Sequence, residues 1–261
     1  MKKSLFLFIF FTKIALSQSS FPVDTSYTPK SVYIKVKKEH PQVSLVASRK
    51  YESVNQKKEV VYKKIKDREL HLDAYYNNTK KRNPTLVIIH GGGWRSGDKS
   101  MELPMAQQIA LSGFVTIPVE YRLSTEALYP AAVNDIKTAI RWIKVNADKY
   151  GIDTLRIAIE GESAGGQLAT LVAMTNGIQH FESEFCKLPA TSSVHAVINV
   201  DGVVDFLAPL SLNTPQNANS AGPFWLGGIF EDNAHIWKEA SPIFWVNEHS
   251  VPILFIASSQ A

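Results

Sequence analysis

Residues 156–165, Arg156-Ile157-Ala158-Ile159-Glu160-Gly161-Glu162-Ser163-Ala164-Gly165, decide how this chain folds. The first five read as a short, mostly apolar strand buried on both faces. The glycines flanking Ser163 then permit a tight reversal that a Cβ would crowd. Beyond them Leu168, Leu171, Val172 and Thr175 recur at helical spacing. A strand, an abrupt turn and a helix form the repeating unit of a parallel sheet, because parallel neighbours need a crossover to return the chain.

The same unit extends in both directions. Upstream, Thr85-Leu86-Val87-Ile88-Ile89 is a second continuous apolar run and residues 114–119 are a third. Between them, a helix-sized segment through 105–111 ends at Ser112-Gly113. From Pro130, residues Val133, Ile136, Ile140 and Ile143 repeat at helical spacing until Gly151 stops the pattern. Downstream, 194–200 and 251–257 supply two more strands, and 210–221, rich in Ser, Asn, Thr and Gln, reads as a surface loop. This alternation predicts an α/β fold with a mostly parallel, doubly wound sheet. Nearer the amino terminus, apolar alternation at 32–36, 43–46, 59–64 and 69–76 predicts antiparallel strands, the last two joined by the charged turn at Asp67 and Arg68.

With 45% apolar and 20% charged residues, the 261-residue chain has the composition of an ordinary globular protein, large enough for one sizeable core. Residues 1–17 depart from that average. Lys2 and Lys3 precede the apolar run 5–11, and Ala15-Leu16-Ser17 offers the small residues of a cleavage site. That is the pattern of a secretory signal peptide, so a secreted or periplasmic protein is expected. A membrane anchor is the alternative, but the run is too short to span a bilayer and Lys13 interrupts it. The expected organisation is therefore a signal at 1–17, a lead-in with amino-terminal strands at 18–58, and one main domain at 59–261.

Removing Lys2, Lys3 and Lys13 from the formal charge of +4 leaves +1, which gives no electrostatic case for nucleic acid. Cys186 is the single cysteine, so an internal disulfide is impossible. No metal or organic cofactor is implied.

Two motifs carry chemistry. Gly161-Glu162-Ser163-Ala164-Gly165 fits G-x-S-x-G at a strand-to-helix turn, which presents a serine hydroxyl at a helix amino terminus where the peptide dipoles favour developing negative charge. His90-Gly91-Gly92-Gly93-Trp94 directly follows the buried run 85–89. Consecutive glycines let backbone amides point at a tetrahedral oxyanion, so the N–H groups of Gly92, Gly93 and Ala164 are candidates for that role. A phosphate loop is the competing reading, but the Gly-Lys-Ser/Thr ending is absent. Trp94 is a candidate for the substrate pocket. The run Phe224-Trp225-Leu226-Gly227-Gly228, with Trp237 and Trp245, is either an aromatic wall or the core of an insertion.

Together with Tyr121-Arg122-Leu123, Leu128-Tyr129-Pro130 and the helix from Asp135 to Trp142, these motifs resemble the esterase/lipase branch of α/β-hydrolases with an HGGG oxyanion motif. More narrowly, they resemble bacterial acetyl- and feruloyl-esterase-like proteins acting on plant polysaccharides. The resemblance covers residues 59–257 and implies an α/β-hydrolase fold. It also implies a serine carboxylic-ester hydrolase that removes acetyl or feruloyl groups from carbohydrate esters through an acyl-Ser163 intermediate. An amide or peptide hydrolase of the same fold, or a non-catalytic remnant, are the other readings.

The resemblance also calls for an acid and then a histidine after the serine. His180, His195 and His249 are expected at the far end of the sheet, and His235 in an insertion that could fold over the site. His90 reads as a structural residue beside the glycines. Asp201 and Asp205 follow a strand and are candidate acids, with capping as the alternative for Asp201. The matching histidine would follow a strand beyond Ala261, so the sequence reads as a fragment whose carboxyl-terminal strand, helix and histidine loop are missing.

Overall fold

A computed structural model describes residues 24–77, 81–182, 186–213 and 217–258. The expected signal at 1–17 lies outside the described residues. Seven strands form one sheet: β1 (Val54–Ile65), β2 (Arg68–Asn77), β3 (Asn83–Ile89), β4 (Val115–Val119), β5 (Ile152–Glu162), β6 (Ala196–Val200) and β7 (Ile253–Ile256). Their order is β1-β2-β4-β3-β5-β6-β7. Pairing is antiparallel from β1 through β2 to β4 and parallel from β4 onward. The mostly parallel sheet with antiparallel amino-terminal strands is the one the apolar runs predicted.

Crossover helices cover both faces. Ala106 and Ala110 of α2 (Leu103–Leu111) pack with Tyr75, Leu86 and Ile88 on one side. On the other, α3 (Ala131–Val145) and α5 (Ala164–Met174) bury Val133, Ile136, Ile140, Leu168, Leu171 and Val172 against Val87, Ile89, Ile157 and Ile159. The short helix α4 (Ala147–Tyr150) ends at Gly151, whose φ of 66° is the left-handed conformation that glycine adopts without a Cβ penalty.

The expected strand at 32–36 is instead part of helix α1 (Pro29–Glu39). Val32, Ile34 and Val36 alternate, but a capping box overrides that signal. Thr28 Oγ1 accepts from the Ser31 N–H at 3.1 Å, and Ser31 Oγ accepts from the Thr28 N–H at 2.8 Å. Pro29 in the first turn is already set to a helical φ. No residue of α1 is buried, so this local chemistry is not opposed by packing. Residues 43–46 form no strand either, and Leu45 and Val46 are exposed.

The chain after β6 forms α6 (Pro209–Asn213), α7 (Ala221–Leu226) and α8 (Phe230–Glu239) before β7. The segment expected to be loop at 210–221 thus begins in one short helix and ends in another. Among the described residues β7 is last in the sheet; it is apolar, and Leu254, Phe255 and Ile256 are exposed. Among the described residues no helix is long and apolar enough to cross a membrane.

Candidate active site

Two loops leave the sheet side by side. β3 pairs with β5 in register Ile89↔Gly161, so the segment beginning at His90 and the turn at Ser163 emerge from adjacent strand ends. The contact is close: a Cβ on Gly91 would lie 3.6 Å from Ser163 Cβ and 2.9 Å from the Glu162 carbonyl oxygen. Gly165 opens α5 directly against β3, where a Cβ would come within 2.1 Å of the Ile89 carbonyl oxygen. Only a glycine permits that approach.

Ser163 has φ 52° and ψ −117°, an unfavourable conformation for a residue with a side chain. The surroundings hold it there. Its N–H donates to the Val200 carbonyl at 2.7 Å, and its carbonyl accepts from the Gln167 N–H at 3.0 Å. The Ser163 side chain is exposed and makes no hydrogen bond among the described residues. Ala164 follows as the first residue of α5, so its N–H lies beyond the reach of intrahelical bonding.

The glycine loop is folded to keep its amides outward. Gly92 has φ 118°, and its carbonyl accepts from the N–H of Arg95 and of Ser96 and from Ser96 Oγ at 2.7 Å. With the carbonyl turned back in this way, the N–H groups of Gly92 and Gly93 donate to no acceptor among the described residues. Gly93 borders α7, where a Cβ would meet Ala221 at 3.2 Å. Arg95 clamps the loop to its surroundings through Asp24 at 2.6 Å and the Asn219 carbonyl at 3.0 Å.

Trp94, expected at the pocket, lies in the core instead. Only 7% exposed, it stacks on Trp225 with centroids 4.8 Å apart and planes 7° from parallel. Its Nε1–H donates to Gln167 Oε1 at 2.9 Å, while Gln167 Nε2 donates to the Ala240 carbonyl at 2.8 Å. Trp225 and Trp237 are equally buried, with Phe206 among them. Core packing is therefore the outcome for this aromatic set, because only there can rings of this size replace water with close contacts. The sequence signal for Gln167 was slight: it and Thr170 are the two polar side chains in the otherwise apolar helix 164–174.

His90 is buried and stacked on Tyr121 at 4.4 Å, and burial holds its imidazole below the usual range. Its Nδ1 lies 2.8 Å from the Gly91 carbonyl oxygen, while Tyr121 Oη donates to the His90 carbonyl at 2.9 Å. It braces the loop. His195 Nδ1 accepts from the Ile157 N–H at the start of the core strand, far from the turn, and His180 pairs with Glu239 at 3.0 Å. His235 is exposed on α8 and His249 sits beside Glu248. No hydrogen bond joins any of these histidines to Ser163 among the described residues. Asp201 ties two strand ends together: its Oδ1 accepts from the Ser258 N–H at 2.8 Å and its N–H donates to the Ile256 carbonyl at 3.0 Å. Asp205 Oδ1 accepts from the Leu207 N–H.

Beneath the turn, burial and the neighbouring charges of Glu102 and Glu162 push the Glu160 carboxyl up to about 8. Burial and the charges of Glu162 and Asp98 push Glu102 up to about 7. Among the described residues no group of three or more His, Cys, Asp or Glu is arranged to hold a metal ion.

The family model BD-FAE matches residues 72–260, a span that includes the serine turn and the glycine loop. The chain belongs to the BD-FAE family. Among solved structures, this BD-FAE chain is similar to a truncated form of a carbohydrate esterase from gut microbiota, with a TM-score of 0.72 and 26% identity over 81% of this chain and 79% of that one. It is also similar to a bifunctional GH43-CE protein of Bacteroides eggerthii, with a TM-score of 0.69 and 29% identity over 77% of this chain and 28% of that one. Esterase LipC of Mycobacterium tuberculosis is 30% identical over 186 residues, 69% of this chain and 45% of LipC. The chain spans less than half the length of the curated relatives it matches first. These similarities and the sheet order make the fold that of an α/β-hydrolase, and the resemblance to carbohydrate esterases is the one the motifs indicated.

Proposed function

We propose that this is a secreted serine carboxylic-ester hydrolase that removes acetyl or feruloyl groups from carbohydrate esters. The observation that carries the reading is the exposed Ser163 hydroxyl, set on a backbone of φ 52° beside the free amides of Gly92 and Gly93. Ser163 Oγ attacks the ester carbonyl and gives its proton to a general base. The carbonyl oxygen becomes an anion that accepts hydrogen bonds from Gly92, Gly93 and Ala164, which strengthen as charge develops. Collapse expels the alcohol, which takes up the proton, and leaves an acyl-Ser163 that water then hydrolyses. None of the five histidines described around the fold is assigned as the base.

The carbohydrate part of the reading is supported by the names of the structural neighbours, and secretion by the charged and apolar pattern of residues 1–17. Labelling with a fluorophosphonate and hydrolysis of a short acyl nitrophenyl ester test the mechanism. Both are expected to disappear in Ser163→Ala, and activity that survives unchanged in that variant refutes the assignment. Failure of the native protein to label favours a non-catalytic member that keeps the fold, since an unactivated serine is a poor nucleophile.

A further inference from the structure

Behind the turn lies a set of carboxyl groups that the proposed reaction does not use. Side chains two apart on a strand share a face, so Glu160 and Glu162 follow Ala158 along the side of β5 that packs against the cluster of Tyr75, Leu86 and Ile88. Glu102 is the residue immediately before α2, at its N-cap. Glu160 is flanked in the sheet by Ile88 and Ile198. It is only 7% exposed, and its Oε2 has no hydrogen-bond partner among the described residues. A buried carboxylate in that position has lost its water without a replacement, which favours the neutral acid.

The charged neighbours reinforce this. Glu102 and Glu162 act on Glu160, and Glu162 and Asp98 act on Glu102. The Tyr27 phenol is raised by burial and by Glu162 and Glu102. Lys99, next to Asp98 in the chain, is committed to Glu59 and Asp73.

We propose that the buried Glu160, with Glu102 and the charge of Glu162 beside it, is a positioning residue for the turn behind Ser163, so that alkaline ionisation of Glu160 and Glu102 lowers the reactivity of Ser163. Two effects follow from losing the proton. A charge in the apolar seam draws in water or moves the end of β5, which runs straight into the serine turn. It also opposes an oxyanion forming close by. Three residues of extended chain put the charge about 10 Å from the serine. At an effective dielectric of about 20 that amounts to a rate loss on the order of tenfold.

The test has two arms, because the reactivity half rests on Ser163 being the nucleophile and the titration half does not. The first follows thermal melts of the full chain from pH 5 to 9. A carboxyl whose folded value is raised to about 8 holds a proton that the unfolded chain releases near 4.5. Its stabilising contribution is therefore complete below about 4.5, declines as pH rises, and is gone above about 8. Glu160→Gln is expected to lose that part of the slope. Should Glu160→Gln not fold, Glu102→Gln removes one repelling charge and is expected to move the decline to lower pH. A wild-type slope in the folded variants overturns the proposal.

The second arm measures fluorophosphonate labelling of Ser163 from pH 6 to 9. The wild type is expected to slow about tenfold around pH 8, and Glu160→Gln is expected not to share that loss. An identical loss in both overturns the positioning role. Absence of labelling at every pH overturns the serine mechanism, and the melts still decide whether Glu160 and Glu102 titrate together.

Discussion

Replacing Gly92 by Ala tests the glycine loop at its tightest point. A Cβ there would lie 2.2 Å from the Ser96 carbonyl oxygen and 2.7 Å from its carbon. Ordinary contact begins near 3.4 Å, so the two groups must separate by more than 1 Å. The φ of 118° adds backbone strain for any residue with a Cβ, about 1–3 kcal/mol. The Ser96 carbonyl is backbone and cannot swing away as a side chain would, so the loop must shift and take the Gly92 N–H with it. Loss of one oxyanion donor costs about 3–4 kcal/mol, or about a hundred- to a thousandfold in turnover. The expected result is a kcat on a short acyl nitrophenyl ester reduced by that factor with KM little changed, and a melting temperature lower by several degrees. Wild-type kcat together with a wild-type melt would refute both the packing argument and the role of this amide.

Other perturbations probe the frame around the site. Trp225→Ala empties a fully buried ring stacked on Trp94 and is expected to cost about 3–5 kcal/mol in urea unfolding. Asp135 is fully buried and accepts from Arg122 Nε at 2.8 Å and Lys63 Nζ at 2.5 Å. Asp135→Ala leaves those cations without their partner, and a loss of about 3–5 kcal/mol is expected by the same measurement. His90 is held neutral by burial, so its folded value lies below the ordinary 6.5. The unfolded chain then binds the proton first, and stability falls as pH drops below about 6.5. His90→Phe, which can keep a ring against Tyr121, is expected to be less stable at pH 7 but to lose that acid-side slope between pH 7 and 5.

The parts of this molecule that were legible in the sequence are those encoded over a few neighbouring residues. The buried runs 85–89 and 156–160 and the glycine-flanked Ser163 announce a parallel sheet and its sharpest turn without reference to anything distant. The amino-terminal helix misled because Val32, Ile34 and Val36 satisfy the period of a strand, while the cap at Thr28 decides the matter through hydrogen bonds that periodicity does not register. Trp94 was misplaced for another reason. Its partners Gln167, Phe206 and Trp225 lie 73 to 131 positions away in the numbering, and only the folded chain brings them under the loop. Glu160 looked like one polar residue ending an apolar run; its burial depends on neighbours from distant parts of the chain, among them Ile88 and Ile198 in the flanking strands.

The ladder of bonds at the carboxyl ends of the strands has a mechanical consequence. The amide of Ser163 is held by the carbonyl of Val200, and the next residue, Asp201, is held in turn by the carbonyl of Ile256. The Ser163 hydroxyl is thus two rungs from β7. Fraying or reinforcement of β7 will register as faster or slower hydrogen exchange at the Ser163 amide, so conditions that grip that strand will stiffen the serine.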